Sequence, residues 1–325
     1  IQNLTYNYMS NYVGAAVVMN PKTGDILAMV SNPTFDPNSI DANWENLTAN
    51  NNGPLVNRTT TGLYRPGSTF KIVTANAMLE SNTDQNYEDT GSELIQNFEI
   101  KNFDGISFGH LDLRSAFVNS SNTYFAKKTN DMGKETLMNM TDKYMFNKSY
   151  PFDLEKYDSV IPYKELNQVD LAMTGFGYGK TQATPLHMAM VASTIANDGI
   201  MMQPKLVKTI TDKEEKNVYK AKDEKLSIVT SKRNANNIRD MMVDVVNEGT
   251  GRAAYIDGIQ VAGKTGTTDK SNGFIDAWFV GFAPAYDPKI AVAIVIEDAA
   301  DTGGITVAPI ARNLLVDIFN QVNLD

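Results

Sequence analysis

The sequence predicts an α+β fold in which a sheet built from both ends of the chain packs against helices from its middle. Runs with strand character lie near the beginning and the end, whereas helical segments dominate between them. The chain has 325 residues, more than one typical core accommodates, so we expect two packed lobes. We assign about 1–66 and 200–325 to the sheet lobe and about 67–199 to an all-helical lobe.

The N-terminal part begins with two predicted strands. Residues Gly14–Val30 are rich in β-branched and other apolar residues on both sides of a turn at Pro21–Gly24. The next segment, Ser31–Gly67, is rich in Asn, Pro, Thr and Gly and shows little helical or strand period. A long irregular stretch in a compact protein is usually functional or packed over another part of the fold, and we expect the same here.

The middle of the chain is predicted to be helical. A helix begins at Ser68, directly after the Pro66–Gly67 turn, and runs to Glu80. Gly199 is expected to stop the last helix of this region. The further predicted helices are Asp112–Lys128, Lys134–Met145, Pro185–Asp198 and, beyond the helical lobe, Ser231–Asn247.

Strand character returns near the C-terminus, and one more helix closes the chain. Three short runs rich in β-branched or aromatic residues are predicted strands: Ile259–Thr267, Ala277–Phe282 and Ile290–Glu297. The final helix is predicted at Val307–Val322. The longest apolar run, Ile290–Ile296, is the length of a strand and much shorter than the roughly 20 residues that a membrane-spanning helix needs.

Composition excludes several classes of function. The chain has no Cys and only two His, so cysteine nucleophiles and thiolate metal sites are excluded and a histidine zinc site is not expected. His187 falls in a predicted helix, where we expect a packed or capping side chain rather than a catalytic base. The net charge of −9 disfavours nucleic acid as a partner. We therefore expect no metal, no cofactor and no nucleic acid.

One glycine-rich segment, Gly175–Thr181, superficially resembles a phosphate-binding loop. Thr174 occupies the position where that loop requires glycine, and no apolar strand immediately precedes the segment. A nucleotide is therefore not expected at this position.

Three short motifs in a fixed order carry the catalytic hypothesis. The first, Ser68-Thr69-Phe70-Lys71, begins a helix, so the Lys71 amine can reach the Ser68 hydroxyl three residues earlier. The second, Ser120-Ser121-Asn122, lies inside or between helices, and the third, Lys264-Thr265-Gly266-Thr267, lies on a late strand. Each is weak alone. In this order they match the S-x-x-K, S-x-N and K-T-G set of penicillin-binding proteins and serine β-lactamases.

The same residues meet the requirements of acyl transfer, which are a nucleophile, a base and donors for the oxyanion. We expect Lys71 to be the base, although holding it neutral at pH 7 costs roughly 4.6 kcal/mol. Burial between the lobes and a second ammonium at Lys264 would both lower its pKa. Ser120 could relay a proton between the two lysines, and Asn122 could hold a substrate amide. The helix N-terminus at Ser68 offers a backbone N–H to a developing oxyanion.

Along nearly its whole length the chain resembles the transpeptidase domain of a penicillin-binding protein of the monofunctional class B type. The family's opening hairpin resembles VVMNPKTGDILAMVSNPTFDPN (Val17–Asn38), and its approach to the nucleophile resembles NRTTTGLYRPGSTFKI (Asn57–Ile72). Its GQG and TPL-x-x-A segment is similar to GYGKTQATPLHMA (Gly177–Ala189), with Tyr178 where glutamine is usual. Its KTG strand and the next one resemble KTGTTDKSNGFIDAWFVGFAP (Lys264–Pro284).

The resemblance implies a five-stranded antiparallel sheet flanked by helices, an all-helical lobe, and an active site between them. It further implies that Ser68 attacks the D-Ala–D-Ala carbonyl of a peptidoglycan stem peptide and that an amine of a neighbouring stem peptide resolves the acyl-enzyme. Lys71 would be the base, Ser120 and Lys264 would shuttle protons, and β-lactams would acylate the same serine.

The resemblance also implies the residues that bind substrate. Thr265 and Thr267 would hold the substrate carboxylate, Asn122 its backbone amide, and Gly266 lies between the two threonines. The backbone N–H groups of Ser68 and Thr267 would form the oxyanion hole.

By the same resemblance we expect an extracytoplasmic domain of a membrane-anchored protein, with the N-terminal anchor and stalk missing from this chain. Cell-wall synthesis proteins in the membrane are the expected partners, and a carboxypeptidase side activity stays open.

The alternative functions are a class D-like serine β-lactamase and a β-lactam sensor domain. Both would fit the S-T-F-K and K-T-G-T motifs equally well. Their middle motif commonly has a hydrophobic residue in place of Asn122, and the class D-like group lacks the NPTFDPN and TPLHMA segments. A scaffold without chemistry is disfavoured because the motif set is intact.

Overall fold

The computed structural model describes residues 1–81, 83–270 and 272–324. Within these ranges the helices are α1 (Gln2–Met9), α2 (Ile40–Ala49), α3 (Lys71–Ser81), α4 (Leu113–Val118), α5 (Asn122–Met132), α6 (Lys134–Lys143), α7 (Gln168–Gly175), α8 (Pro185–Ala196), α9 (Lys232–Asn247), α10 (Gly303–Thr306) and α11 (Ala308–Gln321). The strands are β1 (Gly14–Met19), β2 (Ile26–Asn32), β3 (Tyr87–Asp89), β4 (Ser92–Ile95), β5 (Phe98–Lys101), β6 (Gly109–Leu111), β7 (Ile200–Met202), β8 (Thr209–Thr211), β9 (Asn217–Lys220), β10 (Lys225–Ile228), β11 (Ala262–Asp269), β12 (Ile275–Ala283) and β13 (Ile290–Ala299). Short 3₁₀ helices lie at Pro37–Ser39, Gly67–Phe70, Phe103–Gly105, Tyr163–Glu165 and Arg252–Ala254.

The two ends of the chain together build the central sheet. Its order is β11-β12-β13-β1-β2, and all neighbouring strands are antiparallel. Gly14 of β1 pairs with Ile296 of β13, and Lys264 of β11 pairs with Val280 of β12. The predicted five-stranded antiparallel sheet is confirmed, and it leaves β11 at one edge.

Helices cover both faces of this sheet. The side chains of β1 alternate between the two faces, so Val17 packs with the core that includes α8, and Val18 packs with the core that includes α11. Helix α8 lies against β1, β12 and β13, and every one of its residues is buried. A helix that is apolar all round is expected to be buried between layers, as α8 is.

The middle of the chain packs around α3, which contacts α4, α5, α6 and α9. The segment assigned to an all-helical lobe also contains two short antiparallel ribbons, β3 with β6 and β4 with β5, which the sequence analysis did not predict. Helix α8 belongs to that same segment by sequence but lies on the sheet. The division into lobes at about residues 66 and 200 stays a prediction.

Several local features differ from the sequence-based expectations. The predicted helix Asp112–Lys128 is wrong as a single element, because α4 and α5 are separated by a sharp turn at residues 119–121. The irregular segment Ser31–Gly67 contains the exposed helix α2. None of the helices in the described ranges has the length and apolar character needed to cross a bilayer.

Candidate active site

Ser68 lies in the 3₁₀ turn Gly67–Phe70 that leads into α3. Such a turn has three residues per revolution, so Ser68 and Lys71 lie on the same face. Gly67 has a φ of +54°, and its N–H donates to the Gly177 carbonyl oxygen at 3.1 Å. A Cβ at Gly177 would collide with the Gly67 carbonyl oxygen. The glycine-rich segment that resembles a phosphate loop therefore packs directly against the turn that presents Ser68.

Ser120 is held in a left-handed backbone conformation, with a φ of +57°. The Ser120 N–H donates to the Phe117 carbonyl at 3.2 Å, and the Ser121 N–H donates to the Ala116 carbonyl at 3.0 Å. These two bonds form a Schellman motif, which ends α4 with Ser120 at the position where glycine is most common. The turn aims the Ser120 side chain toward α3 and β11, and it explains why the predicted single helix is broken here.

Lys71 is fully buried and donates to three oxygen atoms of the second motif. Its Nζ lies 2.7 Å from the Ser120 carbonyl oxygen, 3.2 Å from Ser120 Oγ and 2.8 Å from Asn122 Oδ1. The rings of Phe125 and Phe176 lie 5.4 and 6.0 Å from this nitrogen. Water is therefore replaced around Lys71 by a small set of fixed dipoles and by aromatic rings.

Lys264 reaches the same serine from the sheet. Its Nζ lies 2.8 Å from Ser120 Oγ and 3.3 Å from the Thr265 carbonyl oxygen, and its side chain is fully buried. Ser120 Oγ thus bridges the two lysine nitrogens. Because a hydroxyl has one proton to donate as well as lone pairs to accept with, it can pass a proton between two amines of which one is neutral.

Both lysines have lowered pKa values. Burial lowers the pKa of Lys264 to about 7. Burial also lowers the pKa of Lys71 well below its usual value, and the charge of Lys264 lowers it further. Desolvation penalises the charged amine, and a neighbouring cation penalises it again. Lys71 is therefore the side chain of this cluster best suited to accept a proton at neutral pH.

Ser68 Oγ makes no hydrogen bond with any residue in the described part of the chain. The expected contact between Lys71 Nζ and Ser68 Oγ is thus not formed, because the donors of Lys71 are directed at Ser120 and Asn122. Ser68 is partly exposed and lines a cleft. Hydrogen bonds of catalytic groups are often long in a free enzyme and tighten only when substrate binds.

The third motif lies on the edge strand β11, beside the Ser68 turn. Tyr178 Oη donates to the Thr267 carbonyl oxygen at 2.9 Å, and the Gly303 N–H donates to Thr267 Oγ1 at 3.1 Å. A Cβ on Gly266 would lie 2.9 Å from the Pro66 carbonyl oxygen, so β11 and the Ser68 turn touch at a position where only glycine fits. The hydroxyls of Thr265 and Thr267 lie along the same strand.

A cleft of about 550 Å³ opens between β11 and the turn that joins α4 to α5. Its lining includes all the predicted residues except the two buried lysines: Ser68, Ser120, Asn122, Thr265, Gly266 and Thr267. The structure therefore brings the three motifs together, with both lysines packed beneath Ser120.

The cleft also contains residues that the sequence analysis missed. Thr250 follows α9 and shares a hydrogen bond of 2.8 Å with Thr265 Oγ1. Phe103 and Ile106 form an exposed apolar wall near the ribbon β4–β5, and Ile305 of α10 also lines the cleft. No motif marks these positions. The adjacent glycines at 303 and 304 were the one available signal, because a glycine pair indicates a close approach of backbone.

Neither histidine lies in the cleft as the structure describes it. His187 is fully buried in α8, and its Nε2 lies 2.7 Å from the Tyr144 carbonyl oxygen, so this nitrogen is the donor. Its ring stacks at 4.4 Å on Phe146, and burial lowers its pKa to about 4. The prediction that His187 is a packed residue is confirmed.

Comparison with known proteins identifies relatives along nearly the whole chain. The family model described as the penicillin binding protein transpeptidase domain matches residues 14–316. The peptidoglycan D,D-transpeptidase PbpA of Mycolicibacterium smegmatis is 34% identical over 323 residues, which cover 92% of this chain and 65% of that protein. The chain spans about two thirds or less of the first curated relatives that it matches.

Solved structures extend the similarity to the fold. The D,D-transpeptidase domain of a peptidoglycan glycosyltransferase from Eggerthella lenta has a TM-score of 0.92 and 39% identity, covering 98% of this chain and 80% of that one. Penicillin-binding protein A from Mycobacterium tuberculosis, as its penicillin G acyl-enzyme complex, has a TM-score of 0.89 and 30% identity, covering 98% and 78%. The similarity therefore includes both the sheet and the helices that form the cleft.

Proposed function

Because this chain belongs to the family of penicillin-binding protein transpeptidase domains, we propose that it cross-links peptidoglycan as a serine-type D,D-transpeptidase. The substrate is a stem peptide ending in D-Ala–D-Ala, and β-lactams are covalent inhibitors that acylate the same serine. The strongest support is the pair of buried lysines that meet at Ser120 Oγ beneath the cleft that Ser68 lines.

In the first half-reaction, neutral Lys71 takes the proton of Ser68 Oγ as that oxygen attacks the carbonyl carbon of the penultimate D-alanine. The attack turns the carbonyl oxygen into an oxyanion, which the backbone N–H groups of Ser68 and Thr267 stabilise. Collapse of this intermediate breaks the peptide C–N bond. The leaving amine receives its proton from Lys264 through Ser120 Oγ, and D-alanine departs.

Substrate binding is assigned to the two walls of the cleft. The carboxylate of the terminal D-alanine lies against the Thr265 and Thr267 hydroxyls, close to the Lys264 amine, whose pKa is lowered to about 7. The Asn122 amide still has a hydrogen to offer, since Nδ2 carries two and one goes to the Lys101 carbonyl at 3.2 Å. It donates that hydrogen to a backbone carbonyl of the stem peptide, while Gly266 lets β11 pack against the Ser68 turn and so keeps the strand beside the substrate.

Between the half-reactions the proton held by Lys71 passes through Ser120 Oγ to Lys264, so that Lys71 is neutral again. In the second half-reaction an amine of a neighbouring stem peptide loses a proton to Lys71 and attacks the ester carbonyl. The C–O bond to Ser68 breaks, the serine regains its proton, and the new amide is the cross-link. Water in place of the amine gives the carboxypeptidase side activity.

The setting of the domain follows from the same proposal. The sheet lobe, about 1–66 and 200–325, and the helical lobe, about 67–199, form the two walls of the cleft. The domain acts outside the cytoplasm within a longer, membrane-anchored protein, together with other cell-wall synthesis proteins in the membrane.

The test is intact-protein mass spectrometry after mixing with penicillin, with Ser68→Ala as the matched control. We expect a one-to-one adduct on the wild type that persists for hours and is absent from the variant. Release of D-alanine from a D-Ala–D-Ala peptide, with transfer to an added amine, then separates a transpeptidase from a β-lactam sensor. An adduct that vanishes within seconds while penicillin is consumed would replace the proposal with a β-lactamase.

A further inference from the structure

A buried polar cluster lies behind the turn that joins α4 to α5, here called the Ser120–Asn122 turn, and its two central residues belong to none of the three motifs. Its centre is the pair Asp89 and Asn102, which are 1% and 4% exposed. Asn102 Nδ2 lies 2.9 Å from each carboxylate oxygen of Asp89. Asp89 ends β3 and Asn102 follows β5, so the two ribbons of the middle segment meet at this pair.

Asn102 presents its amide oxygen to the N-terminus of α5. Its Oδ1 accepts the Asn122 N–H at 2.7 Å and the Thr123 N–H at 3.1 Å. The first N–H groups of a helix have no partner inside the helix, and a capping side chain normally comes from the residue just before it. Here Ser121 is that local cap, through the Tyr124 N–H, and Asn102 supplies a second cap from a distant segment.

Asp89 holds the same turn by binding the hydroxyl side chains of Ser121 and Thr123. Its Oδ2 accepts the Ser121 hydroxyl at 2.7 Å and lies 3.0 Å from the Thr123 hydroxyl, and its Oδ1 accepts the Gly91 N–H at 2.7 Å. No ion pair joins Asp89 to a basic residue in the described ranges. An isolated buried carboxylate is costly, so its hydrogen bonds and the positive end of α5 must offset that cost.

The cluster is connected to the reacting groups by one residue. Asn122 is bound on three sides: its N–H by Asn102, its Nδ2 by the Lys101 carbonyl, and its Oδ1 by Lys71 Nζ at 2.8 Å. Residue 120, whose Oγ lies between the two lysines, is only two positions away in the same turn. A shift of this turn would move the Lys71 acceptors and the amide that receives substrate together.

We propose that Asp89 and Asn102 are positioning residues that fix the Ser120–Asn122 turn against Lys71 and thereby set the rate of serine acylation. This inference rests on the proposed function, and it adds two residues that no motif contains. Neither touches the reacting atoms, and both act through Asn122 and its neighbours in the turn.

The test measures acylation by a fluorescent penicillin over a range of concentrations, which separates the first-order rate at saturation from the dissociation constant. Asn102→Ala is expected to lower the saturated rate by about 10- to 100-fold, because small misplacements of reacting groups have effects of this size. The control is Asn32→Ala, another buried asparagine that donates to backbone carbonyls, far from the cleft at the end of β2. It should change the fraction of active protein at most, and leave the rate constant within about two-fold of the wild type.

A swapped pair gives a rescue that a general loss of stability would not produce. Asn102→Asp alone places two buried carboxylates in contact and should lower the rate further than Asn102→Ala. Adding Asp89→Asn restores an amide–carboxylate pair with reversed polarity, and we expect at least about ten-fold recovery of the saturated rate. The inference is overturned if Asn102→Ala acylates within two-fold of the wild type, or if the swap recovers nothing.

Hydrogen exchange of the segment 119–125 provides a readout that needs no acylation. In folded Asn102→Ala the amides of Asn122 and Thr123 should exchange faster than in the wild type and in Asn32→Ala. If the wild type fails to react with penicillin, the proposed function fails while the exchange data still report on the positioning pair. Unchanged exchange at these two amides would refute the positioning role of Asp89 and Asn102.

Discussion

The left-handed conformation of Ser120 predicts that two substitutions which remove the same hydroxyl will differ in stability. Ser120→Gly and Ser120→Ala both eliminate the oxygen that bridges Lys71 and Lys264. They differ only in the Cβ of alanine, which remains at a residue whose φ is +57°. We expect the glycine variant to be the more stable of the two.

The size of the difference follows from two opposing terms. A non-glycine residue in this conformation costs about 1–2 kcal/mol. Glycine loses roughly 0.5–1 kcal/mol of that advantage, because the unfolded chain is more flexible at glycine. The net expectation is roughly 0.5–1 kcal/mol in favour of Ser120→Gly. With a urea m-value of about 3 kcal/mol/M, this is about 0.2–0.3 M in the midpoint of unfolding.

The assay is urea unfolding of both variants beside the wild type, followed by circular dichroism, together with penicillin acylation of each. Both variants should acylate at least about 100-fold more slowly than the wild type, because each lacks the proton relay. Equal stability of the two variants, or greater stability of Ser120→Ala, would refute the strain at this turn. Acylation at the wild-type rate in either variant would refute the relay.

Three further predictions concern the glycine loop, the buried histidine and the second lysine. Gly177→Ala should slow acylation at least about ten-fold, because the new Cβ would collide with the Gly67 carbonyl oxygen. The control Gly179→Ala has a similar positive φ, but its Cβ would have its nearest contact at 3.5 Å, so it should change the acylation rate far less. Equal effects of the two substitutions on the acylation rate would contradict this prediction. The low pKa of His187, about 4 against about 6.5 when unfolded, means that only the unfolded state gains its proton as the pH falls. About 3 kcal/mol of unfolding free energy, fully present above pH 6.5, should therefore be lost between pH 6.5 and 4, and urea midpoints across this range should fall less steeply in His187→Gln. Lys264→Met removes the cation that lowers the pKa of Lys71, so the pKa of Lys71 should rise. Because acylation needs neutral Lys71, the acid limb of the acylation pH profile should move to higher pH. An acid limb that stays in place or moves to lower pH would contradict the interaction between the two amines.

The candidate catalytic and substrate-binding residues could be predicted from the sequence because they lie within three short motifs. Each motif keeps its members within one turn or one strand, so Lys71 is on the face of Ser68, and Thr265 to Thr267 lie on one strand. Local pattern was also sufficient for the sheet, since its strands are rich in apolar or β-branched residues and are bounded by turn residues. Their pairing followed from the family resemblance.

What the sequence did not reveal depends on contacts between distant segments. The end of α4 was missed because Ser120 occupies the position where glycine would have signalled a stop. The ribbons β3–β6 and β4–β5 have strands of three or four residues with mixed polarity, too short for a period to be visible. Asp89 and Asn102 carry no motif, since their importance comes from where the ribbons place them against α5.

The order of strands in the sheet also constrains how the protein folds. Of the five strands in the sheet, β1 is made first and its neighbour β13 is made last. The six residues of β1, all buried in the finished sheet, must therefore remain without that partner until the segment 290–299 has been made. Pairing between remote segments is slow, and an unpaired apolar strand is prone to wrong association. A nascent chain that stops short of β13 thus contains the Ser68 motif, and even Lys264, without the sheet that brings them together.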